Sequence, residues 1–197
     1  MRRFLLLLLT IGFLTNVGDP AMAAGAKPEY KIGDRLAQPG SSASSVYKET
    51  GWDALIPKDW NPFKQLRALN FGALKDSDPR AAEAMRKMRE IWDSAPVDPS
   101  LRGKRIRIAG FVVPLEHKGD WITEFLLVPY FGACIHVPPP PANQIIYVVA
   151  GTLLKKAEAT DAVWVSGTMS IAHAESMLGA SGYKMKADVV VPYTETH

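Results

Sequence analysis

The residues best suited to chemistry are the single cysteine of the chain, Cys134, and His136, two positions further on. In an extended chain, residues two apart send their side chains to the same face, with their Cα atoms about 7 Å apart. Zinc accepts a thiolate and an imidazole nitrogen as ligands, and copper(I) would also accept the thiolate. Further ligands must come from elsewhere, and the candidates are Glu116, His117 and His173. The spacing predicts a zinc site formed by Cys134, His136 and Glu116.

Three other roles for this pair remain open. Cys134 can be a small buried apolar residue, with His136 as a hydrogen-bonding surface residue. In an enzyme, His136 would be the base that activates the Cys134 thiol as a nucleophile, although no orienting group or oxyanion donor can be named. In a metal-free interaction module, an exposed rim would dock a partner. The rim residues would be Tyr130, Phe131, Pro138, Pro139, Pro140, Pro141 and Asn143.

The four prolines at residues 138–141 determine the kind of segment that carries the pair. Proline fixes φ and donates no backbone hydrogen bond, so the run predicts an extended polyproline segment. Such a segment cannot be an interior sheet strand and should lie at an edge or across the surface. Cys134 and His136 are therefore expected at the start of a stiff loop.

The remainder of the C-terminal half, residues 100–197, alternates apolar and polar residues with the period of β-strands. In the first predicted strand, one face is polar up to Gly110 and both faces are apolar after it, which predicts a bend at this glycine. Short helices are predicted at residues 153–159 and 172–178. Five curved strands with glycine bends indicate a mostly β (α+β) fold built on a five-strand OB-like barrel. The predicted strands span residues 104–115, 121–128, 144–149, 162–171 and 183–191.

The N-terminal half is expected to contain a linker, a strap and a helix. Residues 24–45 are rich in Gly, Ser, Ala and Pro and predict a flexible linker. Residues 46–99 begin with a cluster of aromatic residues that predicts a strap packed on the β domain. Asp78 and Pro79 then start an amphipathic helix. Its apolar face is formed by Ala81, Met85, Met88, Ile91 and Trp92.

Residues 1–23 have the three parts of a signal peptide: Arg2 and Arg3, an apolar run, and the sequence Ala-Met-Ala at residues 21–23. The apolar run is shorter than the roughly 20 residues that span a bilayer, so the mature chain is not expected to be membrane-spanning. Cleavage would lower the net charge from +3 to +2, because two arginines and Asp19 are lost. This balance excludes a typical nucleic-acid-binding surface. The prediction is a soluble, exported protein.

Three segments resemble a known family: FLLVPYFGACIHVPPPPANQ at residues 125–144, GFVVPLE at 110–116 and GWDALIPKDW at 51–60. They are similar to the domain of unknown function 3299 family of exported Gram-negative bacterial proteins. The resemblance implies a periplasmic protein linked to envelope transport systems, with zinc supply as one context, and no established activity. The expected function is a non-enzymatic accessory or binding protein that handles zinc for such a system. The alternatives are a metal-free interaction module of a transport complex and a Cys-His-dependent enzyme.

Overall fold

The computed structural model describes residues 29–36, 46–67, 78–136, 139–155 and 162–193. Two helices, α1 (Pro62–Arg67) and α2 (Pro79–Asp93), precede most of the sheet. A short strand, β1, pairs with the edge of that sheet. The strands are β1 (Lys48–Glu49), β2 (Arg105–Lys118), β3 (Trp121–Val128), β4 (Ile146–Lys155), β5 (Ala162–Ser176) and β6 (Gly179–Pro192).

Strands β2 to β6 form a closed barrel. They are hydrogen-bonded in the order β2-β3-β4-β6-β5, and β5 pairs back onto β2. The β4–β6 pair is parallel, whereas the other four pairs of the barrel are antiparallel. The prediction of a mostly β protein with a five-strand barrel is confirmed.

Strand β2 changes its partner in the middle, and this change closes the barrel. Residues Arg105 to Phe111 pair with β5, and residues Phe111 to Lys118 pair with β3. Gly110 lies at the change. A Cβ atom there would lie 2.8 Å from Cγ of Leu127 and 2.9 Å from the carbonyl oxygen of Val128. Only glycine allows β3 to approach β2 this closely.

The barrel interior is filled by side chains from all five strands and from the segment before the helices. Tyr183 is fully buried, and its hydroxyl donates to the carbonyl oxygen of Leu55 at 2.7 Å. The indole N–H of Trp52 donates to the carbonyl oxygen of Ala109 at 2.7 Å. These bonds fix residues 52–55 onto the barrel. The core includes Trp52, Leu55, Ile106, Ile108, Phe125, Leu127, Val148, Val163, Val165, Met169, Tyr183 and Met185.

The strand predictions differ from the structure mainly at the ends. The second predicted strand has the observed bounds, Trp121–Val128. The helix predicted at residues 172–178 is wrong, because β5 continues to Ser176 and turns directly into β6, with the Ser176 hydroxyl donating to the carbonyl oxygen of Gly179 at 2.8 Å. Of the helix predicted at 153–159, residues 153–155 belong to β4 and the rest lies outside the described residues.

Helix α2 begins as predicted, since the Asp78 side chain accepts a hydrogen bond from the backbone N–H of Arg80. Of its predicted apolar face, Ala81, Met88, Ile91 and Trp92 are half-buried, whereas Met85 is 47% exposed. The strands and residues 52–55 already fill the barrel, which leaves α2 outside it. Within the part of the chain that the structure describes, no helix combines the length and the apolar character needed to cross a bilayer.

Candidate functional site

The loop that carries Cys134 and His136 is a series of turns and not an extended segment. The backbone N–H of His136 donates to the carbonyl oxygen of Gly132 at 2.9 Å, and that of Ile135 donates to the same oxygen at 3.4 Å. Cys134 has a φ of 65°, in the left-handed region. The expectation that residues 134 and 136 share one face assumed an extended chain, and the backbone at Cys134 is not extended.

Cys134 and His136 line two different cavities. Cys134 is half-buried beside a cavity of about 350 Å³, together with Asp93, Pro139 and Met177. Burial raises the pKa of the Cys134 thiol to about 11. His136 is exposed and lines a different cavity. The two side chains thus line different cavities, and the thiol is protonated near neutral pH.

Two other candidate ligands, Glu116 and His173, lie on strands β2 and β5. Glu116 lies opposite Glu124 in the β2–β3 pairing, and Glu124 accepts a hydrogen bond from the Tyr147 hydroxyl. This hydrogen bond is the largest cause that raises the pKa of Tyr147 to about 12. His173 lies on β5 with its Nε2 3.5 Å from an oxygen of Glu175. Among the described residues, no three His, Cys, Asp or Glu side chains are grouped so as to hold a metal ion.

The aromatic part of the predicted rim is covered by residues 29–36, which belong to the segment predicted as a linker. The backbone N–H of Gly33 donates to the carbonyl oxygen of Phe131 at 2.9 Å. The ring of Phe131 is 6.1 Å from that of Tyr30, and the Arg35 guanidinium lies 5.3 Å from the centre of the Tyr130 ring. Tyr130 and Phe131 are therefore half-buried by this chain itself.

The proline part of the rim is also mostly internal. Pro140 and Asn143 are buried, and the Asn143 side-chain amide donates to the carbonyl oxygen of Pro96 at 2.9 Å. Pro139 and Pro141 are half-buried, while Pro138 lies outside the described residues. The prediction of an exposed rim is wrong for Pro140 and Asn143, because this segment packs against the chain that leads from α2 into the barrel.

The candidate site with the most apolar lining is a cavity of about 380 Å³ between β2 and the loop at residues 131–136. Its described lining is hydrocarbon except for two imidazoles, those of His117 and His136, and it contains no carboxylate. We call it the β2 cavity. The described residues that line it are Phe111, Val112, Val113, Pro114, His117, Ile122, Val128, Phe131, Gly132, Ala133, Ile135 and His136.

The β2 cavity has a buried end and an exposed end. Phe111, Val113 and Ala133 are each less than 5% exposed. By contrast, His117 and His136 are exposed, and so are the neighbouring Pro114 and Ile135. The polar groups therefore lie at the mouth, and the interior of the cavity is apolar.

The sequence did not predict this cavity, although it contained one signal for it. Residues 111–113 are apolar in succession, which places apolar groups on both faces of β2 just after Gly110. The described residues pair β5 with β2 only as far as Phe111. Beyond that point, side chains from both faces of β2 line the cavity.

These features define a class: a mostly β protein whose closed five-strand barrel carries an apolar cavity beside its first long strand. Residues 52–192 match the family model of DUF3299, a protein family of unknown function, so the chain belongs to the DUF3299 family. The crystal structure of a DUF3299 family protein from Pseudomonas aeruginosa PAO1 is 37% identical in sequence. The match covers 78% of this chain and 100% of that one, with a TM-score of 0.61. No curated protein matches the chain. The resemblance found in the sequence is confirmed.

Proposed function

We propose that this protein is a non-enzymatic, periplasmic accessory protein that binds a small apolar molecule in the β2 cavity. The observation that carries the proposal is the cavity itself. Ligand sites in proteins typically enclose about 300–1,000 Å³ and combine apolar walls with a few polar groups. The β2 cavity, at about 380 Å³ with two imidazoles at its mouth, has this composition.

The state of Cys134 supports binding over catalysis. A cysteine nucleophile needs a lowered pKa or a base within hydrogen-bond reach. Burial instead raises the pKa of Cys134 to about 11, and His136 lines a different cavity. A Cys-His-dependent enzyme is therefore the least supported of the three functions that the sequence leaves open.

The test is binding of a neutral fluorescent probe, N-phenyl-1-naphthylamine, to purified protein. We expect its fluorescence to rise on binding and the affinity to fall at least tenfold in Ile135→Asp. Ile135 is 59% exposed at the mouth, so this substitution should leave the fold intact. The control is Val189→Asp, which changes an aliphatic residue that is 42% exposed on β6 and lines none of the cavities described above. Equal probe affinity in both variants and the wild type would reject the cavity as the binding site.

Zinc handling for an envelope transport system is a second proposal, and the specific observation in its favour is that His117 and His136 line the same cavity. Imidazole nitrogen is a common zinc ligand. Zinc titration of chelator-stripped protein should then respond to His117→Ala and His136→Ala but not to Cys134→Ser. If no heat of binding is measured for the wild type, zinc handling is rejected, and the apolar-ligand proposal is unaffected.

Three further proposals concern the fold: the type of barrel, the strap and the N-terminal helix. We propose that the barrel is OB-like, because the order β2-β3-β4-β6-β5 with one parallel pair suits a five-stranded Greek-key barrel. The predicted strap is supported by the burial of Trp52 and Leu55, and α2 is proposed as the N-terminal helix of the domain. The signal-peptide pattern at residues 1–23, which lie outside the described residues, supports export.

A further inference from the structure

We infer that the ligand of the β2 cavity is a single-chain amphiphile with a carboxylate head group, such as a medium-chain fatty acid. This inference rests on the proposed function and adds the chemical class of the ligand. It depends on three properties of the cavity: its gradient of burial, the kind of polar group at its mouth, and the absence of carboxylates among the described lining residues.

The gradient of burial requires a ligand with one apolar end. The inner wall includes Val128, which is fully buried, and Phe111 and Val113, which are less than 5% exposed. A polar group placed there would lose its hydration without gaining a partner among these side chains. An alkyl chain has no hydrogen-bonded hydration to lose there, and its affinity should rise about fourfold for each methylene group that it buries.

The groups at the mouth select the head group. Each imidazole, of His117 and of His136, offers at least one N–H donor in either protonation state. A carboxylate accepts hydrogen bonds from such donors, and the described lining contains no Asp or Glu that would repel it. The nearest described carboxylate in sequence, Glu116, is not among the residues that line the cavity. A cationic head group would meet no opposite charge there.

The experiment is calorimetric titration of delipidated protein with three ligands of equal chain length: decanoate, 1-decanol and decyltrimethylammonium. We expect decanoate to bind about tenfold more tightly than the other two, as is typical for hydrogen bonds to a charged group. The double variant H117L/H136L, which removes both N–H donors, should lose this preference and retain the affinity for 1-decanol within about twofold. The control H173L changes an exposed histidine on β5 that lines another cavity and should behave as the wild type.

The outcomes separate the inference from the proposed function. Equal affinity for the three ligands, or a carboxylate preference that survives in H117L/H136L, would overturn the assignment of the head group while the cavity still binds alkyl chains. Binding of decyltrimethylammonium above decanoate would overturn it as well. If none of the three ligands binds, both the inference and the proposed function fail.

Discussion

Replacing Gly110 tests whether the change of partner in β2 determines the stability of the barrel. In Gly110→Val, the new Cβ would lie 2.8 Å from Cγ of Leu127 and 2.9 Å from the carbonyl oxygen of Val128, so β2 and β3 must move apart. Overpacking of this kind costs about 1–3 kcal/mol, and valine should be near the upper value because it adds two further methyl groups. Valine recovers at most about 1 kcal/mol from its preference for strands. The expected net loss is about 2 kcal/mol.

The matched control is Arg107→Val, three residues earlier in the same strand. The Arg107 guanidinium lies 4.2 Å from the centre of the Trp164 ring. Loss of this cation–π contact costs about 0.5–1 kcal/mol, which the strand preference of valine largely offsets. Thermal unfolding should show a midpoint lowered by about 4–8 °C for Gly110→Val and nearly unchanged for Arg107→Val. Equal midpoints for the two variants would refute the close approach of β3 to β2 at Gly110.

Three further predictions concern Tyr183 in the core, the Cys134 thiol and the signal peptide at residues 1–23. Burial raises the pKa of Tyr183 to about 12, so this residue stabilises the fold fully below pH 10, and its contribution is lost as pH rises toward 12. Tyr183→Phe should lower the free energy of unfolding by about 1–3 kcal/mol at pH 7. In urea melts at increasing pH, this variant should lose less stability over that pH range than the wild type, and an equal loss in both proteins would contradict the prediction. Cys134 should react slowly with iodoacetamide at pH 7, where roughly one molecule in ten thousand carries the thiolate, and a rate above that of free cysteine would contradict the burial of the thiol. Intact-mass measurement of the exported protein should show a chain that begins at or near Ala24, and retention of residues 1–23 in a membrane fraction would reject export as a cleaved protein.

The strands could be predicted from the sequence because period-two alternation is a local property of the chain. The bounds of β3, Trp121–Val128, were predicted correctly for this reason. The end of β5 and the start of β6 were not predicted correctly, because residues 172–178 contain alanine and leucine at helical spacing. The neighbouring strand determines their conformation instead: Ala174 pairs with Ser181, and Ser176 pairs with Gly179. Tertiary pairing overrides local propensity in such a segment.

The candidate site could not be predicted in the same way, because it depends on backbone dihedrals and on contacts between distant residues. The prediction of a shared face for Cys134 and His136 assumed extended backbone, whereas Cys134 has a φ of 65°. The prediction of an exposed rim assumed that prolines in a loop face solvent. Pro140 is buried because the adjoining residue Asn143 anchors the segment to the carbonyl oxygen of Pro96, 47 positions earlier in the chain. No local pattern encodes either feature.

The position of the β2 cavity follows from the way the barrel closes. Strand β2 pairs with β5 in its first half and with β3 in its second half. Beyond Phe111, the described residues provide no further pairing between β2 and β5, so this edge of β2 is left without that partner. The side chains at this edge, Val112 and Val113, are apolar and cannot both face the barrel interior, since they alternate along the strand. The loop at residues 131–136 lies against that edge and encloses the remaining space. Gly110 lies at the change of partner, immediately before the residues of β2 that line the cavity.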